Sequence, residues 1–170
     1  GVLNVYSDWN RDKNPSIADS GNIHVKKDLT IDVTAGRSAF GLSSEIGEVT
    51  VEGSTRINAR VTDASPATLG LTDPSESPRP AAGAYGIYVT SNGHVTLKGN
   101  ETVVDADKAL VMTQQSTIFA TDVDGQAWVP DTRDASVSLL SKTTTLNGLT
   151  MTEAGTTLEV ANAVNFNGDA

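Results

Sequence analysis

The 170-residue sequence predicts an all-β protein built as a parallel β-helix, with about six coils and one protruding loop. Three stretches align without a gap: Ile23-His-Val-Lys-Lys-Asp-Leu-Thr-Ile31, Val49-Thr-Val-Glu-Gly-Ser-Thr-Arg-Ile57 and Val95-Thr-Leu-Lys-Gly-Asn-Glu-Thr-Val103. Each holds an apolar-x-apolar strand, a polar or glycine turn, and another β-branched residue at the same offset. A unit of this kind cannot bury its own apolar face and stacks on copies of itself. Composition agrees: aromatics are only 5% of the chain, so Val, Ile, Leu and Ala must build the core. Thr, Ser, Asn, Asp and Gly make up much of the remainder, which suits short strands joined by tight turns.

A second, looser element precedes each unit. Ala39-Phe-Gly-Leu42 ends seven residues before Val49, Ala84-Tyr-Gly-Ile87 ends eight before Val95, and Ala109-Leu110 ends eight before Ile118. Each coil is therefore expected to hold an Ala-x-Gly-apolar strand, a turn such as Ser91-Asn92-Gly93, and a V-x-V strand. Inward positions are Ile23, Val25, Ile31 and Val33, then Val49, Val51, Ile57 and Ala59, then Val95, Leu97 and Val103. A leucine-rich repeat lacks its Leu-x-x-Leu-x-Leu signature here, and a β-sandwich would not explain an ungapped repeat.

Start-to-start spacings of 26 (23 to 49), 46 (49 to 95) and 23 (95 to 118) reveal an insertion of roughly twenty residues in the middle interval. Residues 62–83 carry Pro66, Pro74, Pro78 and Pro80, and proline cannot donate to a central ladder, so this segment leaves the stack as a loop. A second irregular stretch, Asp122–Asp134, contains Gly125, Trp128 and Pro130. Strand patterns return at Val137-Ser-Leu139, Leu149-Thr-Met151, Leu158-Glu-Val160 and Val164-Asn-Phe166. One domain, residues 1–170, accounts for the whole chain. It begins at Gly1 without an initiator methionine, and the expectation is a segment of a longer protein.

The net charge of −9, with twelve scattered Lys and Arg, opposes nucleic-acid binding and membrane insertion. The absence of cysteine excludes disulfides, thiolate metal sites and a cysteine nucleophile. For Ser-His-Asp chemistry the base would be His24 or His94, but both flank V-x-V strands and read as solvent-facing strand residues. Asp105 with Asp107, and Asp122 with Asp124, would be the carboxylates of a polysaccharide hydrolase or lyase. The motifs of pectin-cleaving β-helices are missing, apart from a faint echo at Arg56-Ile-Asn58. Asp122-x-Asp124-Gly125 with Asp131 echoes part of a calcium loop, yet Ala120 stands where its first carboxylate belongs. No metal, cofactor or catalytic residue is expected.

The stretch Ala84-Tyr-Gly-Ile-Tyr-Val-Thr-Ser-Asn-Gly-His-Val-Thr-Leu-Lys-Gly-Asn100 resembles the repeating text of autotransporter passenger domains of type V secretion. Ser38-Ala-Phe-Gly-Leu-Ser43 and Gly47-Glu-Val-Thr-Val-Glu-Gly-Ser54 repeat it, and the resemblance covers roughly residues 20–120. Phage tail spikes and filamentous haemagglutinins carry similar text. The resemblance implies a right-handed β-helix on a Gram-negative cell surface, exported across the outer membrane, with adhesion or aggregation as its activity. The Gly-Asp-Ser-Gly motif of protease passengers does not occur. The expected partners are a host-cell or bacterial surface protein or glycan, or another copy of the chain. The expected contact residues are Asp63, Asp73, Glu76 and Arg79 in the loop, with Trp128 and Tyr88 as sugar-stacking rings. A structural spacer and a polysaccharide-active enzyme are the two competing functions.

Overall fold

In a computed structural model the described residues are 2–4, 22–62, 83–114 and 134–168. They form β1 (Val2–Asn4), β2 (Ile23–Val25), β3 (Leu29–Ala35), β4 (Ser38–Val51), β5 (Thr55–Val61), β6 (Gly83–Leu97), β7 (Glu101–Thr113), β8 (Ser136–Leu139), β9 (Thr143–Thr152), β10 (Thr157–Val160) and β11 (Ala163–Asn167). Every strand pairing among them is parallel. The architecture is therefore all-β with parallel strands, consistent with a solenoid-like stack.

Three ladders run through the stack. The first aligns Ile23, Val49, Val95, Val137 and Leu158. The second aligns Ile31, Ile57, Val104, Leu146 and Phe166. The third aligns Val2, Leu42, Ile87, Leu110 and Thr150. Each ladder has five tiers among the described residues, where the sequence leads to about six coils. The long strands β4, β6 and β7 each bend from one ladder into another. Leu42, Val49, Val51, Ile57, Ile87, Val95, Leu97, Val104, Leu110 and Leu146 form one continuous buried core. Burying each such side chain contributes about 1.5–3 kcal/mol before chain entropy is counted.

The Ala-x-Gly-apolar element has a steric origin. A Cβ on Gly41 would lie 2.3 Å from Ile57 Cγ2, and one on Gly86 would lie 2.2 Å from Val104 Cγ1. Both glycines point inward at an elbow, and the opposing ladder fills the space a side chain would need. The next residue, Leu42 or Ile87, also points inward, so two consecutive residues face the core. Their neighbours Phe40, Tyr85 and Tyr88 are thereby turned outward.

Two expectations need correction. Val103 is not inward: Thr102 and Val104 are buried, and Val103 lies between them on the other face. Thr55 follows Val51 by four residues, but its ladder partner Thr102 follows Leu97 by five. The extra residue sits in the turn through Gly99, whose φ of 93° is the left-handed region that glycine accepts. A one-residue slip exchanges the two faces of a strand. The inward Thr102 hydroxyl shares a 2.8 Å hydrogen bond with Ser141, and Ser141 Oγ donates to the Lys98 carbonyl at 2.8 Å. The second correction concerns the partner of Val95 in the next tier, which is Val137. Ile118 lies outside the described residues.

Candidate functional site

The outer wall at the elbow gathers three aromatic residues, Phe40, Tyr85 and Tyr88. Phe40 and Tyr85 stack with centroids 4.8 Å apart and planes 9° from parallel. Tyr88 meets both edge-on, at 5.5 Å from Phe40 and 5.4 Å from Tyr85. Lys108, one tier on from Tyr85, donates to its hydroxyl at 2.9 Å, with Nζ 4.4 Å from the ring centroid. Val111 packs against the same cluster. Although these rings stand on the outer side of the wall, Tyr85 and Tyr88 are only 3% and 5% exposed.

The wall continues into a polar corner. Glu45 is 4% exposed, and Thr90 and Asn92 are also buried. Burial holds the Tyr88 phenol well above its ordinary pKa, and the nearby Tyr85, Glu45 and Glu153 push in the same direction. Glu153 accepts from Thr113 Oγ1 at 2.5 Å and from the Gln114 amide at 2.8 Å. The result is a buried aromatic cluster bordered by carboxylates.

Of the expected contact residues, Tyr88 is the one among the described residues, and it belongs to this cluster. Its ring is already in contact with Phe40 and Tyr85, which makes it a packing residue of the wall. Asp63, Asp73, Glu76, Arg79 and Trp128 lie outside the described residues, as do Asp122, Asp124 and Asp131. No family model, curated protein or solved structure matches the chain.

The remaining candidate chemistry has partners of a structural kind. Arg60 binds Asp105 through its carboxylate at 2.7 Å and its carbonyl at 2.8 Å. Asp107 accepts from the Ala84 amide at 3.4 Å. His24 Nε2 and Lys98 Nζ each lie 3.1 Å from Glu52 Oε1, and these hydrogen bonds, Lys98 first, hold the Glu52 pKa below its ordinary value. His94 Nδ1 is 2.7 Å from Ser136 Oγ, and its Nε2 is 3.7 Å from Asp134. Serine, histidine and aspartate thus meet, but Ser136 is the ladder partner of His94. Both strands run in parallel ladders, which commit the amides an oxyanion would require. Among the described residues no group of acidic or histidine side chains could hold a metal ion.

Sequence reasoning missed the burial of Glu45 and Asn92 and the contact among Phe40, Tyr85 and Tyr88. The signal for the ring stack was present: Phe40 and Tyr85 occupy the same offset of the Ala-x-Gly-apolar element. It also missed a polar column of Asp32, Asn58, Asp105, Asn147 and Asn167 on the second wall. In that column Asn58 donates to Asp32 at 3.2 Å and Asn167 to Asn147 at 3.0 Å.

Proposed function

We propose that this chain is a right-handed parallel β-helix segment of a bacterial surface adhesin of the autotransporter type, acting by binding and not by catalysis. The stack serves as a rigid scaffold that presents the inserted residues 63–82 to a partner: a surface protein, a glycan or another copy. One observation supports this above the others. Thr62 N donates to the Ala35 carbonyl at 2.9 Å, and Gly83 N donates to the Arg37 carbonyl at 2.9 Å. Both ends of the insertion are thus tied to a single tight turn, Ala35 to Arg37, of the tier before it. The tiers on either side stay in register, with Ala35 paired to Val61 and Ser38 to Gly83. An insertion held this way can vary in sequence without disturbing the stack, which is how a scaffold carries a recognition segment.

The test uses beads coated with the chain, with and without residues 63–82. Clumping or host-cell binding by the full chain, lost on deletion while the circular dichroism spectrum is unchanged, is the expected result. No binding by either form would overturn the adhesive function. Release of product from a polysaccharide would favour the enzyme instead, and binding that survives the deletion would move the contact to the walls of the stack.

A further inference from the structure

The fold gathers lysines that are scattered along the sequence. Between the first and second ladders the chain turns at residues 26–28, 52–54, 98–100, 140–142 and 161–162. Backbone bonds of 2.8–3.2 Å set these turns one on another: Glu52 N donates to the Val25 carbonyl, Lys98 N to Val51, Leu140 N to Leu97 and Ala161 N to Leu139. Of the five lysines among the described residues, four stand on this corner: Lys26, Lys27, Lys98 and Lys142. The carboxylates beside them are already engaged. Glu52 is held by Lys98 and His24 at 3.1 Å each, Glu101 by Arg56 at 3.5 Å, and Asp28 accepts from the Ser54 amide at 2.8 Å. Lys26, Lys27 and Lys142 are exposed, and among the described residues their ammonium groups meet no carboxylate. A positive strip thus runs along one corner of a chain whose net charge is −9.

The strip is long and narrow. Three steps of the stack separate the turn of Lys26 and Lys27 from that of Lys142, roughly 14 Å at ~4.8 Å per step. In the two intervening turns Gly53 and Gly99 contribute backbone alone, followed by Ser54 and the exposed Asn100. On either side the walls turn acidic, with Glu48 and Glu159 on the first ladder and Asp32 and Asp105 on the second. A broad anion, such as a bilayer surface or a nucleic-acid duplex, would meet those carboxylates together with the lysines. A single thin chain would meet the lysines alone. A linear polysaccharide advances by about one tier per sugar, so its carboxylates or sulfates can face successive turns while its hydroxyls reach Ser54 and Asn100.

We propose that this corner binds a linear acidic polysaccharide laid along the stack, with Lys26 and Lys27 at one end of the contact and Lys98 and Lys142 at the other. It goes beyond the proposed function, since the surface is a corner of the stack and not the inserted segment.

The probes are heparin and polygalacturonate, each immobilised, with neutral dextran as the blank. The wild type should be retained at low salt on one or both acidic supports, released as salt rises, and not retained on dextran. The variant Lys26→Gln, Lys27→Gln, Lys142→Gln alters exposed side chains only and should keep its circular dichroism spectrum. Its dissociation constant should rise about tenfold, the order expected for three exposed ion pairs. A variant of equal net charge, Thr34→Asp, Thr152→Asp, Ala154→Asp, changes exposed positions away from the corner and should bind like the wild type. No retention of the wild type on either acidic support would overturn the proposal. So would retention unaffected by the lysine changes, or an equal loss in the charge-matched variant, which would make the effect one of net charge. Release by short duplex DNA at lower concentration than by free heparin or polygalacturonate would overturn it in favour of nucleic acid. Deleting residues 63–82 should leave retention intact, which separates this proposal from the bead assay.

Discussion

Replacing Gly86 with alanine adds a single methyl group at the elbow, and the structure gives its surroundings. The new Cβ would stand 2.2 Å from Val104 Cγ1 and 2.7 Å from the Ala109 carbonyl oxygen. The first contact is more than about 1 Å inside ordinary van der Waals range, and the second is with backbone that has little freedom to move. Gly86 does not adopt a positive φ, so alanine would otherwise favour folding by about 0.4–1 kcal/mol through the unfolded state. Overpacking of about 1–3 kcal/mol opposes that gain, and the expected net cost is about 1–2 kcal/mol. Val104→Ala alone should cost about 1.5 kcal/mol for the methyl groups removed, plus a cavity term. Combined, the two should cost about 1 kcal/mol less than their sum, because the smaller side chain relieves the first contact while the carbonyl remains. The control is Gly36→Ala, where a Cβ meets nothing within 4 Å and stability should change by no more than about 0.5 kcal/mol. Urea unfolding followed by circular dichroism measures all four variants. If Gly86→Ala behaves like the control, or if the double variant is additive within about 0.5 kcal/mol, the steric account of the Ala-x-Gly element is wrong.

Two further outcomes follow from the wall and the ladder. Val104→Asp places a carboxylate in the core and should cost on the order of 4 kcal/mol. Val103→Asp, outward and paired with Arg56 across the ladder, should cost no more than about 1 kcal/mol, and the opposite ranking by urea unfolding would restore the ungapped alignment. Tyr88 gives a dependence on pH. Below about pH 10 the phenol is protonated in both states and its contribution is constant; above it the unfolded chain loses the proton while the folded chain, with its raised pKa, keeps it. Stability must then fall as pH rises, by up to ~1.4 kcal/mol per pH unit from this group. Urea midpoints from about pH 9 to about pH 11 should decline more steeply for the wild type than for Tyr88→Phe, and parallel curves would contradict the burial of the phenol.

Much of the scaffold was legible because stacking imposes one rule, apolar at alternate positions, on segments far apart in the chain. Ile23, Val49 and Val95 could be aligned by eye, and they do lie in one column. The same alignment failed at Val103 because a turn lengthened by one residue leaves no gap that a nine-residue comparison can detect. It failed again after Val95, since Ile118 satisfies the spacing that Val137 satisfies in space. The wall site was less legible. Alternation predicts which face a residue takes, but not that outward rings such as Tyr85 and Tyr88 become nearly inaccessible. Nor does it anticipate a buried carboxylate such as Glu45. The proline-rich insertion was visible through composition, while the way its ends are tied to Ala35 and Arg37 depends on backbone bonds that no composition records.

The corners show how such a chain absorbs changes in length. Between Ser44 and Ile46 the partner strand carries one more residue, from Val89 to Asn92, and at the turn through Gly99 the next tier again carries one more than the tier before. Neither excess spreads. The inward-outward phase restarts after each corner, and the elbow, with Gly86 and Ile87 both directed inward, supplies an odd step that would ruin a flat sheet. A residue gained or lost at a corner therefore alters the faces of one strand and leaves the following strand in phase. For a lineage of such chains, length would be a cheap variable: corners could lengthen one residue at a time, as at Gly99, or by some twenty, as between Val61 and Gly83, with the error confined to the tier where it arose.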